Sequence, residues 1–208
     1  MKLLLAAAAV ALAGTSAHAL TVSQNFDPVV VVDAGDASRT VSVNRSLVIS
    51  DLDVILDLTG SGDGIDASGN PTGNSNAYPN ELSFLLASPS GTQARLIAAS
   101  TFTNVFNSFR VTLTLDDEAP AGFGSTPATG TFRPYNPLSI FDGEDAFGLW
   151  TVTIIDTTNA DPKSLNAVTL SFNGGDEPVN AAVPLPAALP LMGLGLGALG
   201  FTARRRRA

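Results

Sequence analysis

The 208-residue chain predicts an all-β protein, an antiparallel β-sandwich of jelly-roll type, set between an N-terminal signal peptide and a single C-terminal transmembrane helix. Three observations predict this. Several segments alternate apolar and polar residues with period two, clusters of Gly, Pro, Ser and Asn separate them, and no segment between the termini carries a helical stripe. The apolar termini carry the charges expected of exported proteins.

The strands follow from side-chain period. In 51–58, Leu52, Val54, Leu56 and Leu58 share one face and Asp51, Asp53 and Asp57 the other. Leu82, Phe84 and Leu86 repeat the pattern. So do Phe109, Val111, Leu113 and Leu115, and then Val168, Leu170 and Phe172. Further strands are expected at Arg39 to Ile49, Gln93 to Ala98 and Leu149 to Ile155. Turns fall at Ser88-Pro89-Ser90-Gly91, Ala119-Pro120-Ala121-Gly122 and Asp161-Pro162. Gly60 to Pro79 is a long run of Gly, Ser, Asn, Asp and Thr, either a functional surface loop or a mobile insertion, with composition favouring the second.

At the N-terminus Lys2 precedes an apolar run from Leu3 to Ala13, and Ala17-His18-Ala19 fits a small-x-small cleavage pattern. Residues 1–19 are therefore expected to be a signal peptide, cut by signal peptidase after Ala19. At the other end Ala187 to Ala203 are 17 uncharged residues, a helix of roughly 25 Å, followed by Arg204 to Arg207. Clustered Arg resists translocation, so such a helix would leave the preceding chain outside the inner membrane. The expected organisation is signal peptide 1–19, sandwich 20–173, flexible tether 174–182 and C-terminal signal 183–208.

All 19 acidic residues but only six of the 11 basic ones lie between Leu20 and Ala182, which leaves that body at −13. Such a charge repels nucleic acid and anionic lipid. There is no cysteine, and the single histidine, His18, would leave with the signal peptide. A mature chain without either residue has no base for a Ser-His-Asp triad, no thiol nucleophile and no His or Cys ligand for zinc. Paired carboxylates for glycoside hydrolysis stay conceivable, although no spacing singles out a pair.

Abundant loop carboxylates suit a hard cation such as calcium, which gathers several oxygens. Candidate ligands are Asp63 and Asp66, with Asn70, in the polar loop, and Asp142, Glu144 and Asp145 before Trp150. Asp116, Asp117 and Glu118 form another acidic run, and Asp156 and Asp161 flank a turn. None has the ordered spacing of an EF-hand, and an acidic solvated surface explains them equally well. Trp150, beside Val152 and Ile154, reads as a core residue.

Five segments in order also resemble the P/Homo B domain that follows the catalytic domain of kexin-like and bacterial subtilisin-type proteases. They are Ile49-Ser50-Asp51-Leu52-Asp53-Val54, then Glu81 to Thr92 with its Ser-Pro-x-Gly-Thr, and Gly130-Thr131-Phe132-Arg133-Pro134 with Phe141-Asp142-Gly143. Gly148 to Asp156, with its Gly-x-Trp, and Leu165 to Phe172 complete the set. Tyr78-Pro79-Asn80-Glu81-Leu82 departs from the family's His-Thr-type stretch ending in Gly-Asp-Leu, and the protease domain itself is missing. The resemblance implies a jelly-roll sandwich and calcium as a possible ligand. Val183-Pro184-Leu185-Pro186-Ala187, followed by an apolar segment and terminal arginines, resembles a VPLPA-CTERM variant of the PEP-CTERM sorting signals of Gram-negative bacteria. That resemblance implies processing by an exosortase-type enzyme and delivery to the cell surface or extracellular matrix.

The expected function is a non-catalytic exported surface or matrix protein for adhesion or matrix assembly, with an exopolysaccharide or surface protein as partner and membrane contact through the C-terminal helix before processing. The alternative is an accessory P domain for a separate subtilisin-like serine endopeptidase.

Overall fold

Two sheets face each other across one apolar core in the computed structural model, which describes residues 17–104 and 106–175. Among the described residues there are eleven strands: β1 (Ala17–Val32), β2 (Gly35–Val43), β3 (Val48–Gly60), β4 (Asn76–Ala77), β5 (Leu82–Ala87), β6 (Gln93–Ile97), β7 (Phe106–Asn107), β8 (Phe109–Leu115), β9 (Gly130–Phe132), β10 (Gly148–Asp156) and β11 (Lys163–Gly175). One sheet has the order β1-β11-β3-β8-β9 and the other β2-β10-β5-β6, while β4 and β7 form a separate pair. Every pairing is antiparallel except β8 with β9. Strands β1, β2, β3 and β5 alternate between the sheets, as do β6, β8, β10 and β11, which is the winding of a jelly roll. The expected all-β jelly-roll sandwich is the fold found. Among the described residues no helix is long and apolar enough to cross a membrane.

The period-two segments lie in the register that their alternation demands. Leu56 stands opposite Val168 on one side and Leu113 on the other, and all three are fully buried. One residue further on, Asp57 stands opposite Ala167 and Thr112 on the outer face. A slip by one residue would exchange these two sets, so core burial fixes the register. The facing sheet contributes Trp150, Val152 and Ile154 from β10, with Phe84 and Leu86 from β5. Trp150 is fully buried between Phe141 and Phe172, at ring-centroid distances of 5.1 and 5.3 Å, and its indole N–H donates to the Ala146 carbonyl at 2.8 Å. A buried indole needs such an acceptor.

Two elements differ from the sequence expectation. The single strand expected over Arg39 to Ile49 is broken, because β2 and β3 belong to different sheets and the chain turns a corner between them. Asp145 braces that corner, accepting hydrogen bonds from Ser46 Oγ at 2.8 Å and from the Leu47 backbone N–H at 3.1 Å. Strand β1 was not expected. It points Leu20 and Val22 toward the core and pairs Leu20 with Phe172 and Val22 with Leu170. Its first residues include Ala17, opposite Gly175, and Ala19, opposite Asn173. Cleavage after Ala19 would therefore trim three residues from the strand and leave Leu20 opposite Phe172 as its first pair.

Candidate functional site

Polar side chains on the outer face of the five-stranded sheet gather into a cleft. Its floor is Asp57 on β3, Arg110 on β8, and Asn166 and Ala167 on β11. One wall is an irregularity in β1 between Asn25 and Val30, where Asn25, Phe26, Asp27 and Val29 line the opening. The other wall is Ala67 and Ser68 of the polar loop, and the enclosed volume is about 220 Å³.

The loop after β3 is hydrogen-bonded across the sheet. Its backbone is bracketed by Asp66, whose Oδ1 accepts from the N–H groups of Ser68 and Asn70 at 2.9 and 2.8 Å. Thr59 Oγ1 donates to the Gly69 carbonyl at 2.6 Å. Gly69 has φ +80°, and a Cβ there would lie 2.2 Å from Asn166 Oδ1, so the close approach requires glycine. Arg110 then joins loop to sheet. Its Nη1 donates to the Ser68 carbonyl and to Asn70 Oδ1, at 3.1 and 2.8 Å, while Nε and Nη2 grip Asp57.

Electrostatics keep the floor ionised. Burial pushes the Asp57 carboxyl up, but hydrogen bonds from Arg110 and Asn166, with the guanidinium charge, outweigh it and hold the group below its ordinary range. The same hydrogen bond to Asp57 raises Arg110. A carboxylate held ionised and tied to a guanidinium neither donates a proton nor attacks as a free nucleophile. What the cleft offers is polar surface, with Asn25 and Asp27 among its lining residues.

The five carboxylates expected as calcium ligands do not come together, and among the described residues no group of three or more His, Cys, Asp or Glu is placed to hold a metal. Each has a local partner or setting instead. Asp63 accepts from Ser75 through both its backbone N–H, at 2.6 Å, and its hydroxyl, at 2.5 Å. Those hydrogen bonds lower its carboxyl, as the Asn70 N–H does for Asp66. Glu144 accepts from Thr92 Oγ1 in the Ser-Pro-Ser-Gly-Thr turn. Burial pushes Glu144 up, but the hydroxyls of Thr92, Ser88 and Ser90 bring it below its ordinary value. In Asp145 burial is likewise outweighed by the donors from Phe147, Ser46 and Leu47. Asp142 is raised by burial first and then by the charges of Asp51 and Asp117. Asp63, Asp66, Glu144 and Asp145 thus bracket loops and corners through local hydrogen bonds.

The sorting residues Val183, Pro184, Leu185, Pro186 and Ala187, the tether and the C-terminal helix lie outside the described residues. Sequence reasoning missed Asp57 and Arg110 as partners, since 53 residues separate them. The outward phase of Asp57 was visible, but its partner was not.

No protein-family model and no curated protein matches the chain. Among solved structures, it is similar to the serine protease of Aeromonas sobria in complex with its chaperone, at TM-score 0.46 and 16% identity, over 78% of this chain and 28% of that one. The same serine protease alone gives TM-score 0.44 and 16% identity, covering 76% and 27%. A structure of the infectious bursal disease virus Gx strain gives TM-score 0.32 and 11% identity, covering 77% and 33%. The chain thus spans about a third or less of the length of each of these neighbours, and at such scores the likeness carries nothing about activity.

Proposed function

We propose that this protein is a non-catalytic exported β-sandwich that works by binding, in adhesion or matrix assembly at the cell surface. The observation that carries the reading is the outer-face cleft, whose carboxylate is locked to Arg110 and which offers polar surface beside it. The lack of any cysteine and the presence of a single histidine, at position 18, support it, because Ser-His and Cys-His pairs lack their imidazole or thiol in the body. The route is export by the signal peptide, holding at the inner membrane by the C-terminal helix with the body in the periplasm, then exosortase-type processing at Val183 to Ala187. An exopolysaccharide or a surface protein is the partner of the processed form. Cosedimentation of the purified protein with extracellular matrix from the producing cells tests the reading. Retention in the matrix fraction is expected, and hydrolysis of peptide or glycosidic bonds above background would overturn it.

A second reading is favoured by a separate observation. Phe147 and Leu149 are 56% and 59% exposed at the start of β10, and a Cβ on Gly148 between them would lie 2.7 Å from Pro89. Exposed apolar side chains beside a turn suit docking to a folded partner. The order of P-domain-like segments makes a separate subtilisin-like protease that partner. Coelution of the two proteins, lost when Phe147 and Leu149 are both replaced by Ser, distinguishes this reading from matrix binding.

A further inference from the structure

Among the described residues, the most deeply buried charges lie away from the cleft, where β10 runs into β11. Lys163, the first residue of β11, has a fully buried side chain. Its Nζ donates to the Asp161 carbonyl and to Asp161 Oδ2, both at 2.5 Å, and lies 3.5 Å from Asp156 Oδ2. Asp156 and Asp161 are 0% and 3% exposed. Asp161 Oδ2 also accepts the Tyr78 backbone N–H at 2.5 Å, and Asp156 Oδ1 accepts that of Thr158 at 3.3 Å. Glu81 feels Asp161, Lys163 and Asp156, and its Oε2, like Asp156 Oδ2, is buried without a hydrogen-bond partner.

Two buried carboxylates, Asp156 and Asp161, therefore meet one buried ammonium group, and the partly exposed Glu81 adds a further negative charge nearby. An isolated buried carboxylate is costly, and such a group needs a cation close by or a proton. A bound calcium ion is one such cation, since it takes carboxylate oxygens as ligands. Here the Lys163 ammonium donates to the Asp161 carbonyl and carboxylate and lies 3.5 Å from the otherwise unpartnered Asp156 Oδ2, so the positive charge is supplied by the chain itself.

We infer that Lys163 is a built-in cation that neutralises this buried carboxylate pair and lets the sandwich fold without a divalent metal. The groups it joins give the arrangement structural reach. Asp156 ends β10 in the four-stranded sheet, Lys163 begins β11 in the five-stranded sheet, and Asp161 holds Tyr78 at the end of the polar loop. One side chain thus ties together both layers and the long insertion.

Thermal unfolding of the purified chain, wild type and variants, in excess EDTA and in excess calcium chloride tests the inference. The wild-type Tm is expected to differ by less than about 1 °C between the two conditions. Lys163→Met keeps the length of the side chain and removes the charge, and is expected to lower Tm by about 10 °C or to prevent folding. Adding Asp156→Asn removes one stranded charge and is expected to recover at least about half of that loss, or to restore a cooperative transition. A wild-type Tm several degrees lower in EDTA would overturn the inference. So would a Lys163→Met protein as stable as wild type, or a double variant no better than Lys163→Met alone.

Discussion

Arg110 holds Asp57 through two parallel hydrogen bonds, Nε to Oδ1 at 3.0 Å and Nη2 to Oδ2 at 2.7 Å, across the outer face of β3 and β8. The pair is partly exposed, with side-chain accessibilities of 36% for Arg110 and 23% for Asp57. Its Coulomb energy alone is therefore modest. Its importance lies in the remaining donors, which carry the polar loop through Ser68 and Asn70.

Arg110→Ala is expected to destabilise the protein by about 1–2 kcal/mol, lowering Tm by roughly 2–8 °C. It should also speed proteolytic nicking between residues 60 and 79. Arg110→Lys should recover little, since an ammonium cannot reproduce the planar fork. Thermal melts with limited proteolysis check both claims; unchanged cleavage in Arg110→Ala would show that the clamp does not hold the loop.

Asp53 makes stability depend on pH. Burial first, then repulsion from Asp51, Asp116, Glu118 and Asp117, raises its carboxyl from 3.8 to about 6. The folded state thus binds this proton more tightly than the unfolded state, so the favourable contribution is complete below about pH 4 and is lost as pH rises through about 6. Asp53→Asn is expected to raise stability at pH 7.5 by about 1 kcal/mol, after allowance for solvent screening. It should also flatten the dependence between about pH 4 and 6. Urea titrations across that range measure the slope directly.

Trp150 is the only tryptophan in the chain, so its fluorescence reports the core without interference. Blue-shifted native emission is expected, moving red on unfolding together with loss of the β signal in circular dichroism. Trp150→Ala removes the contacts with Phe141 and Phe172 and leaves the Ala146 carbonyl without its donor, at an expected cost of about 3–5 kcal/mol. Trp150→Phe should cost less, because it preserves most of the ring volume.

Processing is read by mass spectrometry of the protein isolated from its own cells. An N-terminus at Leu20 and a C-terminus near Val183 to Ala187 are the expected result. A chain that keeps Arg204 to Arg207 would reduce the C-terminal segment to an anchor.

Strands β3, β5, β8 and β11 were legible because each keeps one face dry and the other wet, which writes period two into the sequence. The corner after Val43 was not legible. Residues on both sides of it face the same core, so apolar positions continue while the chain changes sheets. Strand β1 hid for another reason: Val29 to Val32 do not alternate, and its first residues coincide with the expected cleavage pattern. In the polar loop, composition reads the same whether or not Asp66, Thr59 and Arg110 tie it down. Acidic residues that are close in sequence reach different places: Glu144 accepts from Thr92, and Asp145 from Ser46 and Leu47.

The sequence by itself determined the all-β class, the inward residues of most strands, the buried role of Trp150 and the want of cysteine and histidine chemistry in the body. Local periodicity and composition suffice for such properties, since each depends on neighbours along the chain. Tertiary structure alone decided that Arg110 meets Asp57, that β2 and β3 part company, and that Lys163 lies between Asp156 and Asp161. Those facts depend on strands distant in sequence being brought into register by burial. Side-chain pattern encodes which face is apolar, but sheet order chooses which charges share it.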